Sequence, residues 1–242
     1  MDDIKLDVMA MAVHPDDAEL GCSGTLMVQA DLGWKTGIVD LTRGELGTRG
    51  TAETRKKEAE AATKVMDLDI RENLGLADGF FEPSRENKMK LIRVIRKYRP
   101  EIVLANAPQD RHPDHGRASK LIYDSCFLAG LRKIETEIDG VRQQAWRPKQ
   151  VYYYIQDTYL EPDFIVDISS VIERKKETIR CFKTQFNADQ KEALQTYIST
   201  PSFFKNLMNR FEMYGKMIGV SHGEGFISSK KLGVRKLDDL II

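Results

Sequence analysis

The sequence has few cysteines, no excess of charge and no long apolar run. Its three cysteines, Cys22, Cys126 and Cys181, are far apart and odd in number. They form neither a disulfide framework nor a CxxC pair, so we expect buried thiols in a reducing cytoplasm. The 37 basic residues are balanced by 37 acidic ones, which gives no support for a nucleic-acid or membrane-surface partner. No apolar run approaches the ~20 residues of a membrane span.

Apolar runs that predict buried strands alternate with helical patterns, clearest over residues 51–66 and 85–98. This alternation is typical of an α/β fold, Rossmann-like, with a mostly parallel sheet and helices on both faces. We expect one domain, 1–242, in which residues 1–131 form the core and residues 132–242 cover it. The other predicted elements are strands over residues 6–13, 38–41, 70–74, 101–105, 150–155 and 164–168, helices over residues 21–32, 116–131 and 202–217, and a strand or loop over residues 223–228.

Two His-Pro-Asp motifs each follow an apolar run. The first is Val13-His14-Pro15-Asp16-Asp17-Ala18-Glu19, and the second is His112-Pro113-Asp114-His115. Since His and Asp are ordinary turn residues, either motif alone could be an unrelated turn. Together they hold three of the four histidines and occupy predicted strand ends, where parallel sheets bind ligands. The pair therefore predicts one metal site built from both motifs.

The residue types in these motifs suit a catalytic metal. In each motif the first and fourth residues are three apart, which places them on one side of a helical first turn. A catalytic zinc ion commonly has three His or carboxylate ligands and keeps one position for water. His14, Asp17 and one histidine of the second motif supply such a set, and Asp16 is a candidate general base. The spacing leaves open whether His112 or His115 is the ligand, and whether Asp16 or Asp17 is.

Other polar residues complete the predicted site, which is suited to metal-assisted hydrolysis of an amide or ester. The second-motif histidine that does not bind metal could stabilise an oxyanion, and Asp114 could fix its tautomer and keep it charged. The loop over residues 42–50 has three glycines and two arginines and is a candidate substrate loop. Arg55 follows in the first turns of a predicted helix. The sequence has no P-loop, GxSxG or GxGxxG motif at these positions, so nucleotide-binding and serine-hydrolase classes are not indicated.

The two motifs resemble the signatures of LmbE-like, or PIG-L, metal-dependent N-deacetylases. The stretch from Leu41 to Ala59 and the tail Glu224-Gly225-Phe226 are similar to the bacillithiol-biosynthesis deacetylase branch of that family. The resemblance implies a Zn²⁺ enzyme that removes the N-acetyl group from a small N-acetylglucosamine conjugate, in this branch N-acetylglucosaminyl-malate. Family members often assemble as hexamers, so a homo-oligomer is expected.

The resemblance also implies how the motif residues divide their work. The implied metal ligands are His14, Asp17 and His115. Asp16 would be the general base, and His112, oriented by Asp114, would stabilise the tetrahedral intermediate. Because two imidazoles and one carboxylate also suit Fe²⁺, iron is the alternative metal.

Substrate contacts and alternative activities follow from the same resemblance. Arg55 matches a family position that binds the sugar or an acidic aglycone, and Arg111 would assist, since arginine suits the carboxylates of malate. Some relatives have a tyrosine near the second motif or in the late helical region, where this chain has Asp110 and Phe203–Phe204. No tyrosine is therefore assigned to the oxyanion. The alternatives are a thiol S-conjugate amidase, a deacetylase of another N-acetylglucosaminide, and a non-catalytic sugar- or metal-binding module.

Overall fold

The computed structural model describes residues 4–186 and 194–240. The strands are β1 (Val8–Ala12), β2 (Thr36–Thr42), β3 (Ile70–Leu76), β4 (Ile102–Asn106), β5 (Glu137–Ile138), β6 (Val141–Arg142), β7 (Gln150–Tyr154), β8 (Phe164–Asp167) and β9 (Gly223–Ser228). The helices are α1 (Asp17–Gly21), α2 (Ser23–Asp31), α3 (Ala52–Met66), α4 (Arg85–Tyr98), α5 (Pro113–Ala129), α6 (Ile172–Arg180), α7 (Lys183–Phe186) and α8 (Pro201–Ile218), with 3-10 turns at Ser169–Val171 and Leu237–Leu240. Among these described helices, none is long and apolar enough to cross a membrane.

Seven strands form one sheet in the order β3–β2–β1–β4–β7–β9–β8. The first five in this order are parallel, whereas β9 pairs antiparallel with both β7 and β8. Strands β5 and β6 form a separate antiparallel pair. The segment 223–228, predicted as a strand or loop, is therefore a strand with a neighbour on each side. The mostly parallel sheet confirms the predicted fold class.

Strand β1 shows why its apolar run is continuous instead of alternating. Met9 and Met11 pack with residues of α4 and α5, while Ala10 and Ala12 pack with residues of α2, α6 and α8. Successive side chains of a strand point to opposite faces. A strand that helices cover on both faces must therefore be apolar throughout, and the helices do lie on both faces, as predicted.

Strands β1 and β4 are neighbours in the sheet, with Met11 beside Ala105. Beyond β1 the sheet continues with β2, and beyond β4 it continues with β7 on the opposite side. The connections that leave the carboxyl ends of β1 and β4 therefore run apart and open a crevice between them. Both His-Pro-Asp motifs start in this crevice.

The region predicted as one helix over residues 21–32 consists of two helices and starts earlier. Helix α1 begins at Asp17, inside the first motif, and α2 begins at Ser23. Cys22 lies between them with φ −147° and ψ 12°, which is not a helical conformation. The sequence pattern places the start of this helix too late because the apolar periodicity begins only after Gly21.

Candidate active site

Three histidines from the two motifs meet in the crevice. His14 lies two residues beyond β1, and His112 and His115 lie at the start of α5, whose first residue is Pro113. The ring centroid of His14 is 4.8 Å from that of His112 and 5.8 Å from that of His115, and the last two are 5.2 Å apart. One nitrogen of each ring lies within 4.8 Å of one nitrogen of each other ring. Two motifs that are distant in the sequence thus converge at one point.

The carboxylate of Asp17 lies between two of these rings. Its Oδ2 atom is 3.5 Å from Nδ1 of His14 and 3.3 Å from Nε2 of His115. Asn106 Nδ2 donates to the same oxygen at 3.2 Å, and Gln156 Nε2 donates to Oδ1 at 2.7 Å. Although burial opposes it, the charges and hydrogen bonds of the two histidines hold the pKa of Asp17 well below its usual value. Asp17 is therefore an oriented, ionised carboxylate.

Two aspartates that the motifs did not reveal bind the opposite nitrogens of the same rings. Asp78 Oδ1 is 2.9 Å from Nε2 of His14, and Asp110 Oδ2 is 2.6 Å from Nδ1 of His115. Asp78 follows β3 by two residues and Asp110 lies in the connection after β4. Their position beyond strand ends is the signal that could have identified them. His14 and His115 thus each present their remaining ring nitrogen toward Asp17.

The charge of the cluster fits a divalent cation. Burial alone would lower the pKa of His14, but Asp17 and Asp78 raise it to about 10. Burial likewise opposes the shift at His115, where Asp17 and Asp110 raise the pKa to about 9. A buried site that holds two imidazoles protonated attracts positive charge, which a metal ion can supply in place of the protons. In zinc sites a carboxylate commonly accepts a hydrogen bond from the second nitrogen of each imidazole ligand, and Asp78 and Asp110 occupy such positions behind His14 and His115.

Asp16 is buried beside the cluster and paired with Arg55. Nη2 of Arg55 lies 3.1 Å from Oδ2 of Asp16 and donates to the carbonyl of Pro15 at 2.6 Å. Burial raises the pKa of Asp16 to about 7, against the opposing charge of Arg55. Its backbone φ of 133° lies in a region that residues other than glycine rarely adopt. Arg55, predicted to bind substrate, is only 4% exposed and serves here as the partner of Asp16.

His112 is the N-cap residue of α5. Its Nδ1 atom accepts a hydrogen bond from the backbone N–H of Asp114 at 3.3 Å. In the neutral ring this contact places the proton on Nε2. Burial, together with the charges of His14 and His115, lowers the pKa of His112. The expectation of a charged ring is therefore corrected, since the surroundings favour a neutral imidazole that donates through Nε2.

The carboxylate of Asp114, expected to orient His112, contacts other groups. It is fully buried and accepts from the backbone N–H of Gly79 at 2.8 Å and from Nη1 of Arg117 at 2.6 Å. The backbone amide of Asp114 orients His112 instead, because the free N–H groups of a helical first turn need acceptors. The contact with Gly79 joins the start of α5 to the loop that carries Asp78.

Arg111 lies at the exposed rim of the crevice. Its Nε donates to Asp157 Oδ2 at 3.1 Å, and its guanidinium carbon lies 4.6 Å from the ring centroid of Tyr197. The hydroxyl of Tyr197 donates to the other oxygen of Asp157 at 3.1 Å. The sequence does not single out Tyr197, because it lies in a polar stretch without a periodic pattern. The rim thus offers a cation, a phenol and a carboxylate to a polar ligand.

The glycine-rich loop over residues 42–50 borders the site where Asp78 lies. The backbone N–H of Leu46 donates to Asp78 Oδ2 at 2.9 Å, and Glu45 accepts from the backbone N–H of Asp78 at 3.1 Å. The side chains of Leu46 and Phe80 are largely exposed. The predicted substrate loop is therefore in contact with the residue that holds His14.

The chain is similar in sequence to several deacetylases. The profile of the family described as PIG-L, GlcNAc-PI de-N-acetylase, matches residues 9–126. The diacetylchitobiose deacetylase of Thermococcus kodakarensis is 30% identical over 230 residues, which are 90% of this chain and 81% of that protein. The probable N-acetyl-α-D-glucosaminyl L-malate deacetylase 2 of Bacillus subtilis is 25% identical over 199 residues, 75% of this chain and 84% of that protein.

Solved structures share the architecture over nearly the whole chain. A conserved protein from Thermus thermophilus superposes with a TM-score of 0.84 and is 36% identical, covering 95% of this chain and 98% of its own. The N,N'-diacetylchitobiose deacetylase from Pyrococcus horikoshii, solved with an inhibitor, has a TM-score of 0.79 and is 28% identical, covering 97% of this chain and 88% of its own.

Proposed function

The chain belongs to the PIG-L family of de-N-acetylases, and we propose that it is a metal-dependent hydrolase that removes the N-acetyl group from an N-acetylglucosamine conjugate. Deacetylases that align with most of the chain support the class of reaction, amide hydrolysis at an N-acetyl group. The observation that carries the proposal is the geometry around Asp17. Its carboxylate faces one nitrogen of His14 and one of His115, and an aspartate binds the other nitrogen of each ring.

The residues proposed to hold the metal are His14, Asp17 and His115. Zn²⁺ is the proposed ion, with Fe²⁺ as the alternative, because both accept two imidazoles and one carboxylate. A divalent cation bound by these residues would supply Lewis-acid chemistry, namely polarisation of an amide carbonyl and acidification of water. Asn106 and Gln156 fix both oxygens of Asp17 by hydrogen bonds, and Asp78 and Asp110 fix the rings. The ligand set is thereby oriented before any substrate arrives.

Asp16 is the proposed general base. With a pKa raised to about 7, its carboxylate can take a proton from the attacking water at neutral pH and return it to the leaving nitrogen. Arg55 holds the carboxylate in place through its contacts with Asp16 and the carbonyl of Pro15. This assignment makes Arg55 a positioning residue. Of the two arginines predicted to bind substrate, Arg111 is then the one available to do so.

His112 is proposed to stabilise the negative charge that develops on the carbonyl oxygen. Its Nδ1 is occupied by the backbone N–H of Asp114, so its Nε2–H is the donor that can reach a substrate. A donor fixed in place before reaction stabilises an oxyanion without reorganisation. Asp114 contributes through its backbone and through the contacts that hold the first turn of α5.

At finer resolution, we propose a conjugate with an acidic aglycone, such as N-acetylglucosaminyl-malate. Support comes from the exposed guanidinium of Arg111 at the rim, which suits a carboxylate. The bacillithiol branch itself is not confirmed, because the malate deacetylase of Bacillus subtilis is 25% identical whereas the diacetylchitobiose deacetylase is 30% identical. Diacetylchitobiose is therefore the second candidate substrate.

A substrate panel tests the proposal. The protein, loaded with Zn²⁺ or Fe²⁺, is incubated with N-acetylglucosaminyl-malate, diacetylchitobiose and a bacillithiol S-conjugate, and acetate release and amide cleavage are measured. Acetate release from either N-acetylglucosaminide supports the proposal, whereas cleavage of the S-conjugate alone assigns the chain to the amidases. Sugar binding without turnover under either metal would identify a non-catalytic module. Light scattering on the same sample tests the proposed homo-oligomer, for which the family resemblance implies a hexamer.

A further inference from the structure

A buried ion pair lies at the C-terminal end of helix α1, the helix that begins with Asp17. Nζ of Lys175 in α6 is 2.7 Å from Oε1 of Glu224 in β9, and both side chains are fully buried. Glu224 belongs to the tail motif Glu224-Gly225-Phe226, to which the proposed chemistry assigns no role. A fully buried pair costs desolvation free energy that its own attraction barely offsets. The role of the pair is therefore indicated by the other groups that Lys175 and Glu224 contact.

Lys175 binds the C-terminal end of α1. Its ammonium group donates to the backbone carbonyls of Glu19 at 2.8 Å and Leu20 at 3.2 Å, and to Oγ of Ser23 at 3.1 Å. The final carbonyls of a helix have no partner within the helix and carry its negative dipole end. Lys175 supplies both the hydrogen bonds and the opposite charge.

Glu224 binds the N-terminal end of α2. Its Oε1 accepts from the backbone N–H of Gly24 at 2.9 Å, and its Oε2 accepts from the backbone N–H of Thr25 at 2.7 Å and from the Thr25 hydroxyl at 2.6 Å. The carboxylate thus meets the positive end of the second helix. The two charges of the pair match the two helix ends that meet at Cys22.

Because α1 has only five residues, it cannot hold its conformation by its own hydrogen bonds. It nevertheless begins with Asp17, follows directly on Asp16, and is wholly buried. We propose that Lys175 and Glu224 are positioning residues that fix α1 and thereby place Asp17 for the metal and Asp16 for the water. This inference rests on the proposed function for the roles of Asp16 and Asp17.

The rest of the tail motif holds Glu224 in register. A Cβ atom at Gly225 would come within 2.9 Å of the Tyr214 ring, so only glycine fits there without displacing that side chain. Phe226 is fully buried and its ring stacks on that of Phe164 at 5.2 Å. Strand β9 therefore delivers Glu224 to the junction of α1 and α2 from almost 200 residues further along the chain.

The test compares Glu224→Gln with the wild-type protein loaded with Zn²⁺. Glutamine keeps the size of glutamate but removes its charge and places an amide donor among groups that already donate. We expect kcat for acetate release and the affinity for Zn²⁺, measured by competition with a chelating dye, each to fall about 10- to 100-fold. KM should stay within about twofold, since no substrate contact changes.

Hydrogen exchange provides a readout that needs neither metal nor turnover. In α1 the backbone N–H of Leu20 binds the carbonyl of Asp16, and that of Cys22 binds the carbonyl of Ala18. In Glu224→Gln we expect these amides to exchange at least about tenfold faster, as the loss of one buried hydrogen bond implies. Lys175→Met removes the opposite charge, and we expect the same faster exchange in α1. It replaces Glu224→Gln in the test if that variant fails to fold.

Two control variants separate positioning from general loss of stability. Arg96→Met removes a buried cation that donates to the carbonyls of Ala129, the last residue of α5, and of Leu131 and Ile134 beyond it. It should lower Tm while kcat, Zn²⁺ affinity and exchange in α1 stay near wild type. Arg174→Met removes the neighbouring contact of α6 with Asp31 and should also leave these three quantities unchanged.

The outcomes of the two proposals are distinguishable. If folded Glu224→Gln or Lys175→Met keeps wild-type kcat, Zn²⁺ affinity and exchange in α1, the positioning inference is wrong while the hydrolase remains. The positioning inference would also be wrong if Arg96→Met, at the same Tm as Glu224→Gln, lost as much kcat and Zn²⁺ affinity. If the wild-type protein releases no acetate from any N-acetylglucosaminide, the proposed function fails, and the exchange measurement still decides whether the pair fixes α1.

Discussion

The carboxylate of Asp16 lies 3.1 Å from the guanidinium of Arg55, and both side chains are almost completely buried. Asp16 also has a backbone φ of 133°, a strained value that persists only where the surrounding structure imposes it. Burial raises the pKa of Asp16 to about 7 despite the opposing charge of Arg55. Strain, burial and a shifted pKa in one residue beside the histidine cluster are the features expected of a general base.

Replacement of Asp16 by asparagine should separate catalysis from metal binding. Asn keeps the shape of the side chain but cannot take a proton, so we expect acetate release to fall by ~10²-fold or more. Zinc content, measured by atomic emission, should stay near one ion per chain because Asp16 is not a proposed ligand. Asp31→Asn, on the surface of α2, is the matched control. Full activity in Asp16→Asn would remove Asp16 from the mechanism.

Replacement of Arg55 by methionine should destabilise the fold. Removal of Arg55 leaves the Asp16 carboxyl and the carbonyl of Pro15 without this partner, and the expected loss in the free energy of unfolding is about 1–3 kcal/mol. Urea denaturation measures this loss, and Arg55→Lys should recover part of it because the charge is restored. If Arg55 instead contacts substrate, Arg55→Met will raise KM without a loss of stability.

Asp78 and Asp110 should control metal affinity through the histidines that they bind. Asn at either position keeps the size but weakens the hydrogen bond to the ring, at 2.9 Å for Asp78 and 2.6 Å for Asp110. The loss of such a partner typically costs 10- to 100-fold in metal affinity. Competition with a chelating dye measures the change, and Asp124→Asn, at a partly buried residue of α5 that pairs with Lys88 and Lys120, is the control. Unchanged affinity in both variants would argue against these assignments.

Removal of the metal should lower Tm. The carboxylates around His14 and His115 attract a cation in the folded chain only, so binding stabilises the folded state. Free Zn²⁺ at 100 times its Kd is expected to add about 2.7 kcal/mol. Thermal unfolding with a chelator and then with added Zn²⁺ measures the shift, and His115→Ala should abolish most of it. A Tm that does not respond to chelator or Zn²⁺ in the wild-type protein would contradict the metal site.

The centre of the site could be predicted from the sequence because its residues follow buried strands in short, recognisable motifs. His14 and Asp17 come from one motif and His112 and His115 from the other, and parallel strands bring such ends to one edge of the sheet. The His-Pro-Asp sequence that the two motifs share indicates that they belong to one site. The fold class followed from the same alternation of apolar runs and helices.

The residues that support the site could not be predicted in this way. Asp78, Asp110 and Gln156 are single polar residues in separate loops, and only the strand order brings them to the cluster. The break at Cys22 depends on Lys175 and Glu224, which approach from α6 and β9. Such contacts are set by tertiary packing, which leaves no local pattern in the sequence.

The cysteines should react slowly in the native protein. Cys22 and Cys126 are buried and Cys181 is partly buried. Burial raises the pKa of Cys126 to about 12, raises that of Cys22 well above its usual value, and raises that of Cys181. Since the thiolate is the reactive form, we expect no rapid reaction with Ellman's reagent at pH 8, with Cys181 as the first thiol to react. Denatured protein should yield three equivalents.

Variants of Cys181 and Glu224 test whether the thiols react slowly because they are buried. Cys181→Ser should leave a native protein whose remaining two thiols are almost inert, because neither Cys22 nor Cys126 is accessible. Rapid labelling of Cys126 in that variant would contradict the packing described for α5. Cys22 lies at the junction of α1 and α2, where Glu224 and Lys175 bind the two helix ends. If that pair holds the junction closed, Cys22 should become reactive in Cys181→Ser/Glu224→Gln while Cys126 stays protected.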